Sequence, residues 1–224
     1  MHLLLLGVAP VMVIILYIYF KDKFEKEPIP FLFKNFLLGA FASISITFIL
    51  SSIIAIIFDL PNDNNVFQQF IKAFIIVALV EEFSKYIIVK YYAQRNKEFN
   101  EPFDGIVYAV MVSMGFAALE NVLYVFQHGV ETGIARAFTA VPAHATFAIL
   151  MGYFMGKAKF SKNKIRLNLL GLLVATLFHG AYDFFLFINF IPGTIIGAIS
   201  SLIVGVFFSR RAIKKHQLNS VFNI

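Results

Sequence analysis

The chain has 224 residues, 59% of them hydrophobic and only 14% charged, with a mean hydropathy of +0.79. A soluble globular domain is nearer ~45–50% apolar and ~25% charged, so the composition excludes an ordinary soluble protein. It points instead to a multi-pass protein of the lipid bilayer, with one integral-membrane domain over residues 1–224.

There is no cysteine, which removes disulfides, thiolate metal ligands and cysteine nucleophiles. The net charge of +6 could suggest nucleic acid. Its distribution along the chain fits membrane topology better, and no nucleic-acid partner is expected. Residues 3–20 form the first apolar stretch. They lack a basic leader and a small-residue cleavage site, and Lys21-Asp22-Lys23 comes next, so they read as a retained span.

About 20 mostly apolar residues are needed to cross the hydrocarbon core as a helix. Seven stretches qualify: roughly 3–20, 32–58, 66–91, 103–127, 138–157, 167–190 and 193–209. The expected fold is therefore an all-α, polytopic transmembrane helical bundle of about seven spans. Tyr17, Tyr19, Tyr86, Tyr91 and Tyr92 lie near the expected span ends and suit an interfacial belt. Asp104 opens the fourth stretch and reads as a helix N-cap. His2, His128 and His216 fall at termini or in a loop and receive no role.

Basic residues mark alternate connections. Lys21, Lys23, Lys26 and Lys34 surround the first, Lys90, Arg95 and Lys97 the third, and Lys157, Lys159, Lys162, Lys164 and Arg166 the fifth. Arg210, Arg211, Lys214 and Lys215 come after the last stretch. The second connection, Asp59–Asn65, and the sixth have none, and the fourth has only Arg136. The positive-inside rule then puts the N-terminus outside and the C-terminus in the cytosol.

Small residues recur every fourth position in two stretches. One stripe is Ala140, His144, Ala148, Gly152 and Gly156; the other is Gly171, Ala175, His179 and Asp183. Such stripes let helices approach closely in lipid, so both histidines should face the bundle interior.

Charged residues inside a span are costly, at roughly 2.5–3.5 kcal/mol each on insertion scales. Here Glu81, Glu82, Lys85, Glu120, His144, His179 and Asp183 all fall within spans. At ~1.5 Å per residue, Glu82 lies about 14 Å from the cytosolic end, His179 about 18 Å, Asp183 about 24 Å and Glu120 about 26 Å. His144 is about 20 Å from that end. Four helices thus place carboxylates and imidazoles in one layer.

Carboxylate plus imidazole without thiolate suits zinc in a catalytic site, with one position left for water. Such a site would supply hydroxide, and a free glutamate could serve as general base. His179 and Asp183, one turn apart, could both be ligands, or one ligand and the group that orients it. Glu120, His144, His179 and Asp183 are the candidate metal residues; Glu81, Glu82 and His179 are the candidate catalytic ones. Adjacent helical residues point about 100° apart, so both glutamates cannot face one cavity equally. Glu82 is preferred as base, with Glu81 orienting or binding. Lys85 reads as a charge partner one turn from the glutamates, and Asn121 as a partner of Glu120 in an interhelical hydrogen bond.

Two other classes are compatible with these residues. A non-catalytic membrane scaffold or receptor would use them to knit helices together. A proton-coupled transporter would use the carboxylates as a relay, but neither an internal repeat nor a broken helix at the glutamates is apparent in the sequence.

The motifs also carry a family likeness. Glu81-Glu82-Phe83-Ser84-Lys85 resembles the Glu-Glu-x-x-Lys motif of the PrsW family of bacterial membrane proteases, and Phe116-Ala-Ala-Leu-Glu120-Asn121 its Phe-x-x-x-Glu-Asn motif. His144 and His179-Gly-Ala-Tyr-Asp183 resemble its later histidine motifs. The wider superfamily resembles type II CAAX prenyl endopeptidases, whose usual motifs are Glu-Glu-x-x-x-Arg and Phe-x-x-x-His; this chain departs from both at Lys85 and Glu120. The resemblance implies an intramembrane site-1 protease of the bacterial cell membrane. It would cut the extracytoplasmic part of a single-pass anti-sigma factor and so start release of an envelope-stress sigma factor. Glu81, Glu82 and His179 match positions expected to be essential in that family, while Glu120, His144 and Asp183 match its other motif positions.

Overall fold

The computed structural model describes residues 2–57 and 65–220, except for the side chain of His2. Most of the expected second connection, 58–64, lies outside the described residues. The chain is all-α. Its helical segments are α1 (His2–Lys21), α2 (Ile29–Ile57), α3 (66–93), α4 (104–128) with a short helix (130–138) beyond it, α5 (Ala140–Lys159), α6 (Lys164–Phe187) and α7 (Thr194–Leu218). They match the apolar stretches of the sequence closely.

Five stretches are long and apolar enough to cross a membrane: Leu3–Lys21, Ile29–Ile57, Asp104–Lys159, Lys164–Phe187 and Thr194–Leu218. The protein is a polytopic helical membrane protein. α3, which carries Lys72, Glu81, Glu82, Lys85 and Lys90, is not among the five.

The centre of the bundle is the α4–α5 pair. In the most apolar window of Asp104–Lys159, 78% of residues are buried, against 17% in that of α1. A helix apolar on every face needs neighbours on every face, and α1, α2, α6 and α7 supply them here. Glycines set the spacing. A Cβ added at Gly105 would meet the backbone of Gly152 and Gly156 at 2.5 Å, so these two stripe positions touch α4 almost backbone to backbone. Gly115 lies against the Phe36 carbonyl of α2, and Gly39 of α2 against the Val112 carbonyl of α4.

Wider, π-helical turns occupy Leu38–Ser43 in α2 and Lys72–Leu79 and Val89–Ala93 in α3. Each rotates the next stretch of helix about its axis, and such turns are frequent at functional sites. Nothing in their sequences announces them, yet one ends immediately before Val80-Glu81-Glu82. Hydroxyls anchor the next turn: Ser84 donates to the Glu81 carbonyl at 2.7 Å, Thr47 of α2 donates to Ser84 at 2.9 Å, and Ser43 lies 2.7 Å from the Ser84 oxygen.

Several sequence expectations change. Residues 130–138 form not a simple connection but a short helix beyond a break at Gly129 (φ 83°, ψ −170°), and they carry Arg136 back against α4. Asp104 does not cap its own helix. It sits in the first turn, and its Oδ2 accepts from the backbone N–H groups of Asn100 and Glu101, both at 2.7 Å, bracing the preceding loop. Tyr86 is buried in the core rather than interfacial. His216 lies inside α7, buried against Tyr153, with Nε2 donating to the Tyr153 carbonyl at 2.8 Å.

Alternate connections meet at one end of the bundle. Lys159 donates to the Asn96 carbonyl at 3.4 Å, Gln217 to the Lys21 carbonyl, and Ser220 to Glu101. These are the connections rich in Lys and Arg. Buried carboxylates lie beneath them. Burial pushes Asp22 up to about 6 from 3.8, against the pull of Lys26, and raises Glu27, with Asp104 adding to the shift.

Candidate active site

α3 presents Glu81, Glu82 and Lys85 within about one turn. Lys85 Nζ donates to Glu82 Oε1 at 2.7 Å and lies 3.5 Å from Glu81 Oε2. Both the Lys85 and the Glu82 side chains are almost wholly buried. The ammonium also sits 4.3 Å from the centre of the Phe116 ring, whose π face favours a cation. Lys85 thus lies against both glutamates inside the bundle.

α5 and α6 bring in the imidazoles. His179 Nδ1 is 2.9 Å from Glu82 Oε1, and its Nε2 is 3.2 Å from Asp183 Oδ2, one turn further along α6. His144 Nδ1 is 3.3 Å from Lys85 Nζ, and its Nε2 is 2.9 Å from Glu120 Oε2 on α4. An ammonium can only donate, so His144 Nδ1 accepts and Nε2 carries the proton offered to Glu120. The two rings meet edge to face at 5.5 Å, and Phe147 stacks on His179 at 4.8 Å.

The residues singled out by depth therefore form one connected chain of contacts, running Asp183–His179–Glu82–Lys85–His144–Glu120, with Glu81 against Lys85. The arrangement repeats: each histidine turns Nδ1 to the centre, and a carboxylate faces each Nε2. Asn121 is drawn differently from expectation. Its amide donates to the Gly7 carbonyl of α1 at 2.8 Å, and its Oδ1 accepts from Arg136 Nε at 2.8 Å. Arg136 itself donates to Glu120 Oε2 at 2.7 Å. In the sequence Arg136 reads only as a loop charge. Its approach depends on the Gly129 break, which an apolar–polar pattern does not reveal.

One ligand atom from each of Glu81, Glu82, His144 and His179 lies within 4.8 Å of the others. Two carboxylates and two imidazoles are a donor set suited to a catalytic divalent metal. Glu82 Oε2 is buried and finds no hydrogen-bond partner among the described residues, an orphan acceptor costly to leave bare. The residues present fit a metal. Glu120 and Asp183 stand one bond further out, on the far nitrogens of the two histidines.

A cavity of about 580 Å³ gives access to this group. Glu81, Glu120, His144, His179 and Asp183 line it, while Glu82 and Lys85 stay behind its wall. Lys72, Tyr124, Arg136, Thr139 and Phe187 also line it, and these belong to the bundle end away from the Lys- and Arg-rich connections.

A helical membrane bundle with a buried Glu/Glu/His/His group beside a polar cavity defines an intramembrane hydrolase of the metal-dependent type. The profile of the PrsW family intramembrane metalloproteases matches residues 27–209. The chain belongs to that family. Curated relatives named Protease PrsW include that of Geobacillus kaustophilus, 42% identical over 181 residues that span 80% of this chain and 77% of the relative. That of Oceanobacillus iheyensis is 41% identical over 181 residues, covering 80% of each chain. That of Bacillus subtilis is 37% identical over 182 residues, also 80% of each. No solved structure matches significantly. The protein is an intramembrane metalloprotease, and its substrates are proteins.

Proposed function

We propose that this protease, a single domain over residues 1–224, is the site-1 enzyme for a single-pass membrane anti-sigma factor. It cuts near the outer face of the bacterial cell membrane and so begins release of an envelope-stress sigma factor. The bundle crosses seven times, with the half-buried α3 as the third span, the N-terminus outside and the C-terminus in the cytosol. The observation that carries this reading is the placement of the cavity. It opens at the bundle end opposite the basic connections, and the positive-inside rule makes that the outer end.

Glu82, His144 and His179 would hold the metal, zinc being the ion best suited to them, and Glu81 stays free beside it. A metal held there would supply Lewis acidity for the scissile carbonyl and would lower the pKa of water toward neutrality. The remaining work belongs to the chain. Glu81 faces the cavity while Glu82 is walled off between His179 and Lys85, which favours Glu81 over Glu82 as the base. Glu81 takes one proton from water as its oxygen bonds to the carbonyl carbon. It returns that proton to the amide nitrogen as the C–N bond breaks. Asp183 and Glu120 hold the Nε2 sides of the two imidazoles and so fix their orientation.

The test is cleavage in proteoliposomes of a single-pass substrate tagged at both ends, with the cut mapped by mass spectrometry. The wild type should cut on the extracytoplasmic side, and Glu81→Gln and His179→Ala should not cut. A cut on the cytosolic side would overturn the topology and substrate reading. Full cleavage by both variants would overturn the residue assignment. Elemental analysis of the purified wild type identifies the metal.

A further inference from the structure

Among the described residues, Arg136 is the one cationic side chain that reaches the site from outside α3. It lies beyond the Gly129 break, in the short helix 130–138, and its side chain is only 14% exposed. Its guanidinium makes three contacts. NH2 donates to Glu120 Oε2 at 2.7 Å, Nε donates to Asn121 Oδ1 at 2.8 Å, and the plane lies 4.0 Å from the centre of the Tyr124 ring. Glu120 Oε2 is the same oxygen that receives His144 Nε2 at 2.9 Å.

We propose that Arg136 is a positioning residue for hydrolysis: it pins Glu120 so that His144 keeps its proton on Nε2 and turns Nδ1 to the centre. This rests on the reading of His144 as a group of the active centre. Glu120 borders the cavity and its side chain is 20% exposed, so its carboxylate has room to swing toward water. The charge-assisted bond from a fixed guanidinium holds it in place. Without that bond, His144 Nε2 loses its fixed acceptor, and the ring can turn over to offer the wrong nitrogen.

The route by which Arg136 arrives adds a consequence. Gly129 has φ and ψ in a region open essentially to glycine alone. Gly133, in the same short helix, packs on Leu6 of α1 and Val125 of α4. The orientation of His144 therefore depends on a segment at the cavity mouth being docked.

The bland alternative is a staple: Arg136 fastens the short helix to α4 and has no part in the chemistry. Four variants separate the two: Arg136→Ala, Arg136→Lys, Glu120→Gln, and Arg136→Ala with Glu120→Gln. Each is measured for kcat and KM separately, for thermal midpoint, and for the His144 tautomer by nitrogen-15 NMR on metal-free protein. A residue that orients a ligand is worth about 10–100-fold. Arg136→Ala should lower kcat by that amount with KM little changed, and should mix the two His144 tautomers. Arg136→Lys keeps a charge near Glu120 but loses the fork to Asn121, and should recover much of kcat. The double variant should lose no more than the worse single one, because both act through one contact.

The proposal fails if Arg136→Ala lowers only the thermal midpoint, with kcat and tautomer as in wild type. It fails equally if the two losses multiply in the double variant. If Arg136→Ala does not fold, Arg136→Lys and Glu120→Gln decide, since both keep a polar side chain in place. Should the wild type cut no anti-sigma substrate, the substrate reading falls, while the tautomer comparison still judges Arg136.

Discussion

Glu82 Oε1 lies 2.9 Å from His179 Nδ1 and 2.7 Å from Lys85 Nζ, so a single carboxylate oxygen joins α6 to its own helix inside the bundle. Breaking a fully buried ion pair on one side typically costs about 3–5 kcal/mol, because the other charge is left bare. Glu82→Ala should therefore lose stability on that scale as well as cleavage. Glu82→Gln keeps an acceptor for Lys85 and should stay folded, with a smaller fall in thermal midpoint. Its cleavage rate should fall steeply, because a neutral amide is a poorer metal ligand than a carboxylate. Circular dichroism melting in detergent, beside a cleavage assay, distinguishes the two effects.

Asp183 faces His179 Nε2 at 3.2 Å and touches the cavity. Asp183→Asn retains an acceptor and removes the charge. It should reduce kcat by about 10–100-fold, leave KM near wild type, and weaken metal retention in a chelator titration. Unchanged kcat and unchanged metal retention would remove Asp183 from the machinery.

Gly39 and Gly115 let α2 and α4 touch backbone to backbone. An added methyl at either meets only backbone atoms, and backbone cannot turn aside as a side chain can. Overpacking of this kind costs about 1–3 kcal/mol. Gly39→Ala and Gly115→Ala should each lower the melting temperature by several degrees. Gly129→Ala has open space around it but the wrong backbone angles, and about 1–3 kcal/mol is expected there for a different reason. Its loss should come with a lower kcat if the docking of Arg136 matters.

Asp22 and Glu27 set a pH dependence of stability at the opposite end. Burial raises both above their unfolded values. The stabilisation tied to Asp22 is complete below its unfolded value of 3.8, and it is lost as pH rises through about 6. Asp22→Asn should therefore melt a few degrees higher than wild type at pH 8 and match it at pH 4. A melting temperature for the variant below that of wild type at pH 8 would show that the charge is compensated.

The chemistry of individual residues decides how much of this is legible in the sequence. Ionisable side chains in an apolar run are conspicuous because lipid penalises them, and simple rise per residue puts Glu82, Glu120, His144, His179 and Asp183 in one layer. Contacts across helices are less visible. Lys85 reaches His144, 59 positions away, and nothing local to either residue specifies the other. Arg136 looks like an ordinary loop charge because the turn that returns it to α4 rests on the backbone angles of Gly129. The π-helical turn before Glu81 is made of the same apolar residues as any span, so no composition or period marks it. That turn helps decide which glutamate faces the cavity, and sequence spacing alone does not divide Glu81 from Glu82.

The close contact of Gly105 with Gly152 and Gly156 has a mechanical consequence. It lies about 22 Å along α4 from Glu120 and about 12 Å along α5 from His144. The two central helices are joined tightly at this pivot, and at the other end Glu120 Oε2 meets His144 Nε2 at 2.9 Å. The pivot fixes their lateral register, so Glu120 and His144 meet at the right height.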